Sequence, residues 1–182
     1  MTADGGEPRW LSAVQLESWK SLMAMLMTLP GALDAQLKTE AGMNTFEYHI
    51  LVALADRPQG SMSMGELAAI TQGSASRLSH AVARMERAGW IERRAGDGRC
   101  VNAQLTTLGR DKLIATAPGH VREVRRLVID TLTAEQLRTL GESARTVAEH
   151  ADPTLVCALA AGDAECEPQH AVVREAEPSP GR

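Results

Sequence analysis

Between Ser74 and Arg99 six arginines (Arg77, Arg84, Arg87, Arg93, Arg94, Arg99) stand against three acids (Glu86, Glu92, Asp97). Ser74, Ser76, Ser79 and His80 are interleaved with them. A guanidinium is a planar fork of donors that matches phosphate oxygens and base edges, and serine hydroxyls suit phosphates. The chemistry open to this set is the binding of an anionic polymer, not the making and breaking of bonds. The sequence has no Gly-rich phosphate loop, no nucleophile elbow and no His-Glu-x-x-His, and no pair of acids reads as general acid and base. His49, His80, His120, His150 and His170 are scattered, and Cys157, Cys166 and His170 lack the close spacing of a zinc motif, so neither a metal nor a cofactor is expected.

Two short capped helices and a hairpin carry these residues. Ser63-Met64-Gly65-Glu66 is a capping box that opens a helix through Ile70. Thr71-Gln72-Gly73 is a tight turn, and Ser74 caps a second helix with Leu78, Val82 and Met85 on its inner face. Ser76, Arg77, His80 and Arg84 then face outward, and Gly89 stops the helix. Trp90–Arg94 reads as a strand, and Cys100–Leu105 alternates with Val101, Ala103 and Leu105 on one face. Gly96-Asp97-Gly98-Arg99 is the tip between them, where glycine permits positive φ. This is the pattern of a winged helix-turn-helix. Its second helix fits the major groove of DNA and a basic hairpin reaches the minor groove.

Apolar residues at Val14, Trp19, Leu22, Met23, Leu26, Leu29, Leu33 and Leu37 repeat at helical spacing. Pro30 predicts a kink, or a break with a second segment starting there. Gly42 ends the stretch. Asn44 and Glu47 form another capping box, followed by Phe46, Ile50, Leu51 and Leu54. Thr106 or Thr107 caps a long helix running towards Asp130, bent if at all near Pro118-Gly119. Thr133 with Gln136 caps a last helix carrying Leu137, Leu140, Ala144 and Val147.

The fold class expected is mainly α with a small β-hairpin wing. A winged helix-turn-helix domain over 43–106 joins a helical dimerisation region made of 10–42 and 107–150. Residues 1–9 read as a frayed terminus, and 151–182 as an acidic, disordered tail. The net charge of −4 on 182 residues arises in that tail: six acids there meet Arg174 and Arg182, which leaves residues 1–150 neutral. Local charge, not the total, sets the field a phosphate feels. No apolar run approaches the ~20 residues of a membrane span. Met1–Arg9 does not read as a signal peptide, and three cysteines (Cys100, Cys157, Cys166) suit a reducing cytoplasm.

The order of these elements resembles the MarR family of winged-helix transcriptional regulators over roughly Trp19 to Glu149. The strings that carry the resemblance are Leu29-Pro30-Gly31-Ala32-Leu33-Asp34, Phe46-Glu47-Tyr48, Met64-Gly65-Glu66-Leu67-Ala68 and Ser76-Arg77-Leu78-Ser79. Met85-Glu86-Arg87-Ala88-Gly89-Trp90-Ile91, Asp97-Gly98-Arg99 and Leu105-Thr106-Thr107-Leu108-Gly109 complete the set. Each string is short; their order and spacing together are specific. The resemblance implies a homodimer in which the first and last helices of two chains intertwine. It also implies a wing arginine, Arg99, placed in the minor groove with Asp97 orienting it, and in many members release by a small ligand or by oxidation. Independently of the resemblance, Trp10, Trp19, Met23, Met27 and the Leu137/Leu140 stripe offer more apolar surface than one small winged domain covers.

The expected partner is double-stranded DNA, as a palindromic operator with recognition helices ~34–36 Å apart. The expected contacts are Ser63, Ser74, Ser76, Arg77, Ser79, His80, Arg84, Arg93, Arg94, Asp97 and Arg99. Arg87 reads as a solvated helix face. A small-molecule effector, if there is one, has Trp19, Met23, Met27, Tyr48 and His49 as candidates by position, although a Met/Trp stripe at this spacing also reads as plain core. Two other readings stay open. One is a helical dimer that binds a protein partner without reading DNA. The other is a thiol-based redox sensor, but the resembled redox sensors carry a cysteine near the N-terminus and this chain has none before Cys100.

Overall fold

The structure is a computed structural model that describes residues 8–96 and 101–153. Its order is α1 (Ala13–Ala41), α2 (Thr45–Ala55), β1 (Ser61–Ser63), α3 (Met64–Thr71), α4 (Ala75–Arg87), β2 (Ile91–Ala95), β3 (Val101–Leu105), α5 (Thr107–Leu127) and α6 (Ala134–Ala151). A single 3-10 turn, Ile129–Thr131, lies between α5 and α6.

The helix ends follow local side-chain chemistry. Reciprocal capping boxes open α1 (Ser12 with Gln15), α2 (Asn44 with Glu47), α3 (Ser63 with Glu66) and α6 (Thr133 with Gln136). Each satisfies donors that would otherwise be orphaned in the first turn. Of the two residues offered as the cap of α5, Thr106 takes the role. Gly42 closes α1 in the left-handed region, at φ 65°.

One expectation needs correction and two are sharpened. Pro30 neither ends α1 nor starts a second segment: Ala13–Ala41 is one helix with Pro30 inside it. Proline removes one hydrogen bond, but the long run of helix formers on either side carries the helix past it. The long helix expected to run towards Asp130 ends at Leu127, before the 3-10 turn Ile129–Thr131. The hairpin gains a third strand, giving the antiparallel order β1-β3-β2. Ser61-Met62-Ser63 pairs with Gln104-Ala103-Asn102. Three residues are too few to show alternation in a sequence, so only the partner strand reveals this one.

The core lies between these layers. Ile50, Leu51 and Leu54 of α2 meet Leu67 of α3, Leu78, Val82 and Met85 of α4, Ile91 of β2 and Ala103 of β3, all buried. Burying each such large side chain contributes about 1.5–3 kcal/mol. Only the C-terminal end of α1 enters this core, through Leu37 and Ala41. No residue of α6 is buried.

Candidate nucleic-acid interface

The outward face of the N-terminal half of α4 carries four of the expected contacts. Leu78, Ala81, Val82 and Met85 are buried, which turns Ser76, Arg77, Ser79 and His80 outward, all exposed. Ser74 caps the helix by accepting from the Arg77 amide at 3.2 Å. The free amides of this first turn give it the partial positive charge that favours a phosphate.

The turn before α4 is shaped by α2. Gln72 takes the left-handed position at φ 50°. Gly73 is glycine for a different reason: a Cβ there would stand 2.5 Å from Cζ of Phe46. The same Phe46 ring lies under Arg77, whose guanidinium carbon is 4.2 Å from the ring centroid. Gln72 Nε2 also donates to Asp152 at 3.2 Å, so the end of α6 comes back beside this turn.

Several expected contacts are already engaged within the chain. Arg84 donates through Nε to the carboxylate of Glu47, which is buried beneath it. Arg84 is therefore anchored to α2 through one edge of its guanidinium and is not a freely presented arginine. Arg93 forms an ion pair with Glu86 at 2.9 Å and donates to the carbonyl of Ser79 at 3.3 Å, which ties β2 to α4. Arg94 pairs with Glu92 at 2.5 Å. The Ser63 hydroxyl donates to Glu66 at 2.6 Å and holds that carboxyl below its ordinary range. Arg87 is exposed and bonds to its own helix at Ala83. Asp97 and Arg99 lie outside the described residues, as do Cys100, Cys157 and Cys166.

Of the five effector candidates, Tyr48 and His49 are brought together, with ring centroids 6.4 Å apart. Tyr48 is buried against His120 of α5 at 4.6 Å, and His120 is 3.2 Å from Gln36 of α1. Trp19 and Met27 are exposed on α1, and Met23 is half-buried. A cleft of about 260 Å³ between α1 and α5 is lined by Gln36, Glu40, Lys112, Thr116, Gly119 and Arg122, among others, and by none of the five. Among the described residues no group of three or more metal-binding side chains converges. No helix there is long and apolar enough to cross a membrane.

Phe46, Glu47 and His120 are the residues that sequence reasoning placed elsewhere or passed over. Phe46 and Glu47 read as core and cap, which they are, and nothing in their spacing reports the arginines 31 and 37 positions later.

Comparison with known proteins agrees with this geometry. Residues 41–99 match the family model described as MarR family. Sco3205 of Streptomyces coelicolor, a MarR family transcriptional regulator solved in complex with DNA, is 45% identical. The match covers 81% of this chain and 94% of that one, with a TM-score of 0.77. AbsC of Streptomyces coelicolor, a MarR family transcriptional regulator, is 34% identical over 81% of this chain and 100% of that one, at a TM-score of 0.75. Sco5413 of the same organism, at 21% identity and a TM-score of 0.65, shares the fold. No curated protein matches the chain. With identity at this level over nearly the whole length of both relatives, and with the capped α3–α4 pair and three-stranded wing in place, the chain belongs to the MarR family of winged-helix transcriptional regulators.

Proposed function

We propose that this protein is a homodimeric, sequence-specific DNA-binding regulator that acts in the cytoplasm as a repressor at a palindromic operator. The observation that carries the reading is the DNA complex of the 45% identical Sco3205, taken with the outward Ser76, Arg77, Ser79 and His80 of α4. In this reading α4 enters the major groove. Arg77 pairs with guanine O6 and N7, a contact that discriminates by ~1–3 kcal/mol. Ser63, Ser74 and Ser76 lie towards phosphates, and Arg93 or Arg94 steadies the backbone beside the wing. Asp97 and Arg99 supply the minor-groove contact, where a narrow A·T-rich groove attracts arginine. A small-molecule effector acting through Trp19, Met23, Met27, Tyr48 and His49 releases the DNA.

The test is selection of genomic fragments by the purified protein, followed by titration of the enriched site at two salt concentrations. A palindrome bound far more tightly than random DNA, with a steep salt slope, is the expected result. Binding indifferent to sequence overturns the reading in favour of a helical protein-interaction module.

A further inference from the structure

Two consecutive residues at the start of α2 each hold one arginine of α4. Phe46 lies beneath Arg77, its ring centroid 4.2 Å from the guanidinium carbon. Glu47, 2% exposed, takes Nε of Arg84 on one carboxylate oxygen. Its other oxygen accepts the Asn44 amide at 3.0 Å, so the carboxylate that caps α2 is also the anchor for α4. Arg77 and Arg84 are seven residues apart, about 10 Å along a helix axis. Added to the buried Leu78, Ala81, Val82 and Met85, two attachments that far apart stiffen α4 against tilting and rotation at both ends of its outward face.

The contact at Phe46 has a second support. Gly73 is packed so closely on the same ring that a methyl group there would collide with it. The ring therefore sets the height of the turn as well as the direction of the Arg77 fork. A guanidinium lying on an aromatic face loses conformational freedom before it meets a base, which lowers the cost of ordering it on binding. The buried Glu47 carboxylate cannot be left without Arg84 at small cost, because an ion removed from water needs its partner.

We infer that the Phe46-Glu47 step is a two-point clamp that aims the recognition helix. In it Arg84 is a positioning residue acting through Glu47, and Arg77 reads DNA from the Phe46 platform. The inference rests on the assignment of α4 as the DNA-reading helix. It gives Arg84 a task other than the groove contact expected from its outward place on the helix.

The experiment measures operator and random-DNA affinity of the full chain at several salt concentrations for Glu47→Gln, Arg84→Gln, the double variant and Phe46→Leu. Gln at position 47 retains an oxygen for the Asn44 amide and turns an amide donor, in place of the charged acceptor, towards Nε of Arg84. The clamp predicts that Glu47→Gln and Arg84→Gln each weaken operator binding about tenfold, as expected for loss of a charged hydrogen bond that orders the site. Random-DNA affinity and the salt slope stay at the parent values, and the double variant is no weaker than either single one. Phe46→Leu weakens the parent, and weakens it less when Arg77→Ala is already present, the remainder being the turn that Gly73 packs on the ring.

Additive losses overturn the clamp. So does an Arg84→Gln variant that loses operator and random DNA alike and has a salt slope smaller by about one, the signature of a phosphate contact. If Glu47→Gln does not fold, Arg84→Gln, altered at a more than half-exposed side chain and still able to offer Glu47 an amide donor, decides between these outcomes through its salt slope. If the parent chain prefers no site at all, the DNA-reading assignment falls and the clamp with it. A parent that prefers its site while the cycle is additive sinks the clamp alone.

Discussion

At the scale of single residues, the recognition helix divides its arginines by what lies behind them. Arg77 has an aromatic ring, Arg84 a buried carboxylate, and Arg87 only its own helix. Arg77→Ala is expected to lower operator affinity by ~1–3 kcal/mol and to relax preference at one base pair, read by competition with single-base operator variants. Unchanged preference would remove Arg77 from the readout. Gly109 shows a different constraint. It lies buried in the first turn of α5, where a Cβ would stand 2.0 Å from the carbonyl oxygen of Trp90. Backbone cannot yield as a flexible side chain can, so Gly109→Ala is expected to destabilise the fold by ~1–3 kcal/mol or more, seen as a lower melting temperature. An unaffected melt would mean that the backbone at Trp90 moves away from α5 at little cost.

At the scale of elements, two joints connect the winged part to the long helices. Thr106 caps α5 and donates to the carbonyl of Gly89 at 2.7 Å, closing the end of α4 onto the start of α5. On the other side His120 of α5 touches Tyr48 of α2 and Gln36 of α1. Burial holds the His120 imidazole below its ordinary value of 6.5, and the neighbouring His49 adds to this when charged. Between the lowered folded value and 6.5 the unfolded chain binds more protons than the folded one. Stability is thus full above 6.5 and falls as the pH drops through that interval. His120→Gln is expected to flatten this part of the profile, as measured by urea unfolding across the range. An equally steep profile in the variant would assign the acid loss to other groups.

At the scale of the whole molecule, the described residues leave apolar surface that they do not themselves cover. Val14 and Met27 are each 74% exposed on α1 and Val147 is 60% exposed on α6, while α6 buries nothing. Extensive exposed apolar surface on a small protein marks an interface. A second copy packed through α1 and α6 is the occupant our functional reading requires, since one chain presents one α4 and a palindrome needs two. Leu140→Glu together with Val147→Glu is expected to give monomers by sedimentation and to abolish operator binding at concentrations where the parent saturates. Dimers that persist would move the interface away from α6.

Much of this was legible in the residues themselves. The caps Asn44, Ser63, Ser74 and Thr133, the stop at Gly42 and the inward Leu78, Val82 and Met85 are local or periodic facts, decided by hydrogen-bonding groups three residues apart or by helical repeat. From them followed the winged helix-turn-helix and the face of α4 that points outward. Tertiary structure alone decided that Pro30 stays inside a helix, that Ser61–Ser63 forms a third strand, and that Arg84 is held by Glu47. Each of these depends on a partner far along the chain or on flanking structure strong enough to override a local preference. A residue's type states which bonds it can form, and only the folded chain brings one particular partner within reach.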